Sequence, residues 1–155
     1  MEQVLARDVM KDRDPRRYGI PDNKITSDEY RTVQRQARGW ADNWFTDKDV
    51  AAWLRVGVRH DAAAALWREH GFDASSAAAW LDIRVQPASA AVFTAAGVTP
   101  PMLQTPYVMK GKALRGGNLT LKQALEHQDV TAQEVCSELV RLGLVPRQAR
   151  GASRG

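Results

Sequence analysis

The chain has 155 residues, one cysteine and a formal net charge of +4. A chain of this length buries about 70 % of its unfolded surface when it folds as one domain, so stability requires neither a metal nor a disulfide framework. The single thiol excludes an intramolecular disulfide and favours a reducing setting. No run approaches the roughly 20 apolar residues of a membrane span, and Met1 to Arg7 is not an apolar signal segment. We therefore expect a soluble, cytoplasmic protein.

The charge is uneven along the chain. Residues 1–38 carry a net +2, residues 39–100 a net −2 and residues 101–155 a net +4. No acidic residue occurs between Ile83 and Leu125. The basic excess therefore lies in the two flanks, mainly the C-terminal one.

Residues 1–25 are predicted to form an N-terminal arm. Val4, Leu5, Val9 and Met10 favour a short helix from Glu2 to Met10. Turn residues and charges of alternating sign follow as far as Asn23, a composition typical of an exposed linker. An arm that docks on a partner is the alternative interpretation.

The first long helix is predicted to begin at Thr26, which forms a capping box with Glu29, and to run to about Trp44. Its apolar face is expected to consist of residues at helical spacing, namely Tyr30, Val33, Ala37, Trp40, Ala41 and Trp44. Arg31, Arg35 and Arg38 form a basic stripe at positions i, i+4 and i+7. Such a stripe is typical of solvated helix surface, and contact with phosphate is the alternative.

A repeat overlaps the end of this helix. Five aromatic residues stand at intervals of 13, 14, 13 and 13 residues: Trp40, Trp53, Trp67, Trp80 and Phe93. Three positions before each of them stands a small or aliphatic residue: Ala37, Val50, Ala64, Ala77 and Ala90. Five positions after each of them stands another apolar residue: Phe45, Val58, Phe72, Val85 and Val98. Gly57, Gly71 and Gly97 stand before three of the last set, with Trp44 and Arg84 in the other two slots.

The period predicts short helices that each end in a glycine turn and bury their aromatic residue as structural core. We expect these helices at 47–56, 61–70, 74–82, 87–96 and 100–104. Thr46, Asp73 and Thr99 are predicted N-caps, and Pro87 and Pro100 suit a first helical turn. Arg84 is a poor fit to the turn position that it occupies.

This pattern resembles the short A-x-x-W-x-x-x-G-F/V helical repeats of actinobacterial and actinophage proteins, most of which have no assigned function. The resemblance covers Ala37 to Val98, about two fifths of the chain. It implies an all-helical module for interaction or assembly, with no catalytic residues, and a virion location if the protein comes from a phage.

The helices at 47–56 and 61–70 also invite comparison with a DNA-reading helix-turn-helix. Two features depart from that motif: Ala52 precedes Gly57 by five positions instead of four, and Ala62 to Ala65 offer no polar side chains to bases. We interpret the pair as structural units, with DNA reading as the alternative.

Residues 105–146 are predicted to form a basic loop or β-hairpin followed by two helices. Tyr107 to Met109 and Asn118 to Leu121 suit two short strands, and Leu121 to Gln128 and Ala132 to Leu142 suit helices, the second capped by Thr131 with Glu134. Residues 147–155 form a basic tail. The candidate contacts to nucleic acid or another anion are Lys110, Lys112, Arg115, Lys122, Arg147 and Arg150.

Sequence motifs for catalysis, cofactors or metals are absent. The chain has no P-loop, no G-x-S-x-G elbow, no H-E-x-x-H and no C-x-x-C. Cys136 lies on a predicted amphipathic helix, where packing is its expected role. We therefore expect an all-α, non-catalytic module, with no cofactor or small-molecule substrate, that binds a protein partner or another copy of itself. A nucleic-acid-binding regulator is the alternative.

Overall fold

A computed structural model describes residues 1–11, 24–107 and 119–146. In these ranges the protein has eight α-helices, one 3₁₀ helix and one antiparallel pair of two-residue strands. The predicted all-α fold with a small hairpin is confirmed. The helices are α1 (Glu2–Lys11), α2 (Ser27–Asp42), α3 (Asp47–Arg55), α4 (Asp61–Glu69), α5 (Ala74–Asp82), α6 (Pro87–Ala96), α7 (Leu121–Glu126) and α8 (Ala132–Arg141); the 3₁₀ helix is Pro100–Gln104 and the strands are β1 (Pro106–Tyr107) and β2 (Leu119–Thr120).

The chain divides into two compact units, Met1–Ala78 and Ala79–Gly155. In the first unit, α1 packs against α2 and α3, and α2 packs against α4. Leu5 is the buried residue of α1, with only 2 % of its surface exposed. The short helix predicted at the N-terminus is therefore part of the core of this unit.

In the second unit, α6 packs against α8, and α7 packs against the 3₁₀ helix, both strands and α8. Pro106 pairs with Thr120 and Tyr107 with Leu119. The strands are shorter than the sequence predicted, and the loop between them lies outside the described residues.

All fifteen positions of the sequence period are buried. The aromatic set is between 0 and 5 % exposed, and the small residues before it and the residues five positions after it are at most 8 % exposed. The cause is local: residues three apart share one face of a helix, and the residue after the turn folds back under the same face.

Seven helix ends share one turn geometry. Each has a residue with positive φ, and within the described ranges these residues are Trp44, Gly57, Gly71, Arg84, Gly97, Gln128 and Gly143. At α4, for example, Gly71 donates its N–H to the Arg68 carbonyl at 2.9 Å and Phe72 donates to the Trp67 carbonyl at 3.0 Å. These are the two hydrogen bonds of a Schellman cap, which satisfy carbonyls that the helix leaves without partners.

Arg84 forms the same cap as glycine, contrary to the poor fit expected from sequence. Its φ is 58°, its N–H donates to the Leu81 carbonyl at 2.9 Å, and Val85 donates to the Trp80 carbonyl at 3.0 Å. The two hydrogen bonds and the burial of Val85 hold arginine in a conformation that costs an L-residue about 1–2 kcal/mol.

The predicted N-caps differ in outcome. Thr46 forms a full capping box with Asp49, and Asp73 accepts a hydrogen bond from the Ser76 N–H at 2.8 Å. Thr99 makes no side-chain cap, contrary to expectation. Pro100 and Pro101 follow it, so the second helical position has no N–H to donate to its hydroxyl. Thr120, by contrast, caps α7 with Gln123, a box that the sequence analysis did not identify.

Acid is expected to weaken the fold through its capping carboxylates. The Thr46 hydroxyl and then its backbone N–H lower the pKa of Asp49, and the Ser76 backbone and hydroxyl lower the pKa of Asp73. A lowered folded pKa gives stability that is present above the unfolded value and is lost as the pH falls through the folded one, here below about pH 4. We expect the urea midpoint to fall between pH 6 and pH 3, and to fall less in Asp49→Asn. An equal fall in both proteins contradicts this assignment.

No α-helix in the described ranges is long and apolar enough to cross a membrane.

Candidate functional site

Trp44 is the most exposed of the large apolar side chains in the described residues, and its backbone also has a positive φ. It has φ 61° and is 87 % exposed. A bulky side chain at positive φ is a backbone outlier, because Cβ crowds the following carbonyl. Four of the seven equivalent turns in the described residues use glycine at this position. The chain therefore holds a large apolar side chain in water, in a conformation that glycine adopts without steric cost.

Trp44 was predicted to lie on the apolar face of the first helix, and this prediction is wrong. Helix α2 ends at Asp42, and the backbone φ becomes positive at Trp44. Tyr30 at 43 % exposure and the exposed Ala41 also leave the predicted face, whereas Val33, Ala37 and Trp40 are buried. The signal that identifies Trp44 was present in the repeat, where it occupies the slot of the turn glycine.

Hydrogen bonds on both sides of Trp44 fix its backbone. Its own N–H donates to the Ala41 carbonyl at 2.9 Å, and the N–H of Phe45 donates to the Trp40 carbonyl at 3.1 Å. The Phe45 ring then packs edge-on against the Trp40 ring, with centroids 5.0 Å apart. The residue after Trp44 is thus anchored in the core while the indole lies in solvent.

Asn43 ties the same turn to helix α4. Its side-chain amide donates to the Gly39 carbonyl at 3.1 Å and to the carboxylate of Asp61 at 2.8 Å. Gly39 permits this approach, since a Cβ there would lie 3.0 Å from the Asp61 carboxylate. The turn is therefore braced against the first residue of α4.

Arg68 of α4 braces the turn from a second direction. Its guanidinium donates to the Asn43 carbonyl at 2.6 Å and lies 4.2 Å from the centroid of the Phe45 ring. A cation over an aromatic face contributes about 0.5–1 kcal/mol at an exposed site. Residues on both sides of Trp44 thus contact α4, and the indole lies exposed on a turn that α4 braces.

An indole so placed offers contact area and one N–H donor. Covering a tryptophan removes about 150–250 Å² from water, which corresponds to roughly 4–6 kcal/mol before the costs of association. An indole supplies no acid, base or nucleophile for catalysis. What the indole can offer another molecule is apolar contact area and its N–H.

Of the six basic residues proposed from sequence as nucleic-acid contacts, one is described. Lys110, Lys112 and Arg115 belong to 108–118, and Arg147 and Arg150 to 147–155, which lie outside the described residues. Lys122 is at the start of α7, and its ammonium lies 3.2 Å from the carboxylate of Glu126. This lysine is therefore already paired within its own helix.

The described residues contain no group of three or more His, Cys, Asp or Glu side chains arranged to hold a metal. Cys136 lies half-buried on α8, and burial raises the pKa of its thiol. The thiolate form, which reacts and binds metals, is therefore disfavoured there.

Comparison with protein-family models, with curated proteins and with solved structures finds no match to the chain. What its own geometry defines is a predominantly helical protein that presents a constrained, exposed tryptophan.

Proposed function

We propose that the protein is a non-catalytic helical repeat module for protein–protein interaction, and that Trp44 is the centre of its binding surface. The partner is another protein or a second copy of the chain, in the cytoplasm or in a virion. The observation that carries the proposal is the 87 % exposed indole held at φ 61°.

Tryptophan and glycine differ in two energetic respects at this turn. Tryptophan exposes apolar area and pays about 1–2 kcal/mol for its backbone conformation. Glycine avoids both costs, but it makes the unfolded chain more flexible, and this lowers the free energy of unfolding by about 0.4–1 kcal/mol. Arg84 and Gln128 have the same positive φ, so what distinguishes Trp44 is its exposed indole, and tryptophan is enriched among the interface side chains that dominate binding.

Trp44→Gly is therefore expected to raise stability and to remove association. We expect the free energy of unfolding to rise by up to about 1 kcal/mol. Self-association is measured by sedimentation over a concentration series. A separate partner is sought by affinity capture from an extract of the producing cells at low and high salt, with quantitative mass spectrometry.

Arg84→Gly is the matched control, because it makes the same backbone change at the same turn position without removing an aromatic side chain. It is expected to gain similar stability and to keep every association. If Trp44→Gly associates as well as wild type in both assays, the proposed surface is wrong.

Nucleic-acid binding by the basic C-terminal third stays the alternative, supported by the +4 charge of residues 101–155. Binding to a random DNA duplex that falls steeply with salt and is lost in a Lys110→Ala/Lys112→Ala/Arg115→Ala variant would favour it over the interaction module.

A further inference from the structure

A cleft of about 1150 Å³ runs beside helix α2, on the same unit as Trp44. Its walls come from the start of α1, the exposed side of α2 and the first residue of α3. The polar lining from α2 comprises Arg31, Gln34, Arg35 and Arg38. The basic stripe seen in the sequence therefore lines one side of this open cleft.

The cleft has an excess of positive charge. Three arginines line it together with two carboxylates, Glu2 and Asp47. Asp47 is paired with the Met1 ammonium at 2.6 Å, and Glu2 accepts a weak hydrogen bond from the Tyr30 hydroxyl at 3.4 Å. Arg31 lies 3.9 Å from Asp28.

Arg35 and Arg38 form no ion pair with any of the described residues, although three carboxylates lie near them in the sequence at Asp28, Glu29 and Asp42. Two guanidiniums thus line a concave site with their hydrogen-bonding forks available, and guanidinium forks bind carboxylates and phosphates in paired hydrogen bonds.

The net charge of the first unit favours carboxylates over phosphates as the groups bound in this cleft. Residues 1–78 contain thirteen basic and thirteen acidic residues, a net charge of zero. A nucleic acid is a polyanion and gains its affinity from many phosphate contacts over a broad basic surface. A neutral unit whose cleft is also lined by two carboxylates opposes such a ligand, whereas a few carboxylates flanked by neutral or basic residues fit it.

We propose that this cleft binds an acidic segment of a partner protein, with Arg35 and Arg38 as the carboxylate-binding residues. This inference rests on the proposed interaction function and names the chemistry of the partner. Neighbouring arginines at i+3 and i+4 on a helix lie about 5–6 Å apart. Alternate residues of an extended peptide lie about 6.5–7 Å apart on one side, about 1 Å more than the arginine Cβ spacing, and the long arginine side chains can span that difference.

The probe is a rhodamine-labelled ten-residue peptide of alternating Glu and Gly, titrated by fluorescence anisotropy at low salt. Arg35→Gln/Arg38→Gln is compared with Lys48→Gln/Arg55→Gln, which removes the same charge from exposed positions outside the cleft. The first pair is expected to weaken binding at least about tenfold, and the second to leave it nearly unchanged. Arg35→Lys/Arg38→Lys is expected to recover only part of the affinity, because lysine lacks the planar fork.

Three results overturn the inference: no binding of the peptide, equal loss in both double variants, or tighter binding of a ten-base DNA strand or of tripolyphosphate than of the peptide. Trp44→Gly is titrated alongside and is expected to bind the peptide as wild type does. A cleft that fails this test while Trp44→Gly still loses association leaves the proposed function standing. If the peptide binds normally but Trp44→Gly associates as well as wild type, the cleft binds acidic peptides and the proposed role of Trp44 is wrong.

Discussion

Trp40→Ala is expected to lower the free energy of unfolding by about 3–5 kcal/mol, whereas Trp44→Ala changes it by no more than about 0.5 kcal/mol. The two tryptophans are four residues apart, yet Trp40 is fully buried and Trp44 is 87 % exposed. The large cost comes from lost apolar burial and from the cavity left beside the Phe45 ring. Urea unfolding followed by circular dichroism measures both values.

A third variant separates packing from hydrogen bonding. Trp40 Nε1 is buried and has no hydrogen-bond partner among the described residues. A buried donor without a partner costs about 1–3 kcal/mol. Trp40→Phe removes that donor, which offsets part of the stability lost with the smaller ring. The free energy of unfolding should therefore fall far less in Trp40→Phe than in Trp40→Ala. Comparable losses in Trp40→Ala and Trp44→Ala would contradict the placement of these two side chains.

Phe93→Ala is expected to cost about 3–5 kcal/mol in the second unit. Phe93 is fully buried on α6 and stacks against Trp80, with ring centroids 5.7 Å apart and an angle of 26° between the planes. The substitution removes the stacking and opens a cavity in a core to which α6 and α8 both contribute.

Thr94→Ala is the control for Phe93→Ala, because it changes the neighbouring exposed residue of the same helix. It is expected to stay within about 0.5 kcal/mol of wild type. Loss of the stacking partner should also change the Trp80 fluorescence, so a Phe93→Ala protein with wild-type emission and stability would contradict the described core.

The substituted residues lie in different units of the chain. Trp40, Trp44 and the arginine cleft belong to Met1–Ala78, and Phe93 belongs to Ala79–Gly155. Two unfolding transitions in Phe93→Ala would show that the units unfold independently, and a single transition would show that they unfold together.

The helices were predictable because their signals are local. Thr46 with Asp49 and Thr131 with Glu134 form capping boxes within one turn of the chain. Gly71 lies where a helix must end in a left-handed residue, and spacing alone places Trp67 on the buried face. None of these features needs a partner from a distant segment.

The candidate sites were only partly predictable. The arginines of α2 were visible as a stripe, but the sequence does not show that the start of α1 and Asp47 close it into a cleft. Trp44 was visible in a glycine slot, yet its apolar character assigned it to the core. Hydrophobicity predicts which side chains gain from burial, but it does not show which of them the fold leaves exposed.

The sequence by itself determined the helices, most of their caps and the periodic core, because periodicity and capping act within a few residues. The tertiary structure decided what the surface presents. The contact of Asn43 with Asp61 and of Arg68 with the Asn43 carbonyl joins segments 18 and 25 residues apart. Such contacts depend on how α2 and α4 pack, and that packing is what holds Trp44 in solvent and gives the protein its candidate binding surface.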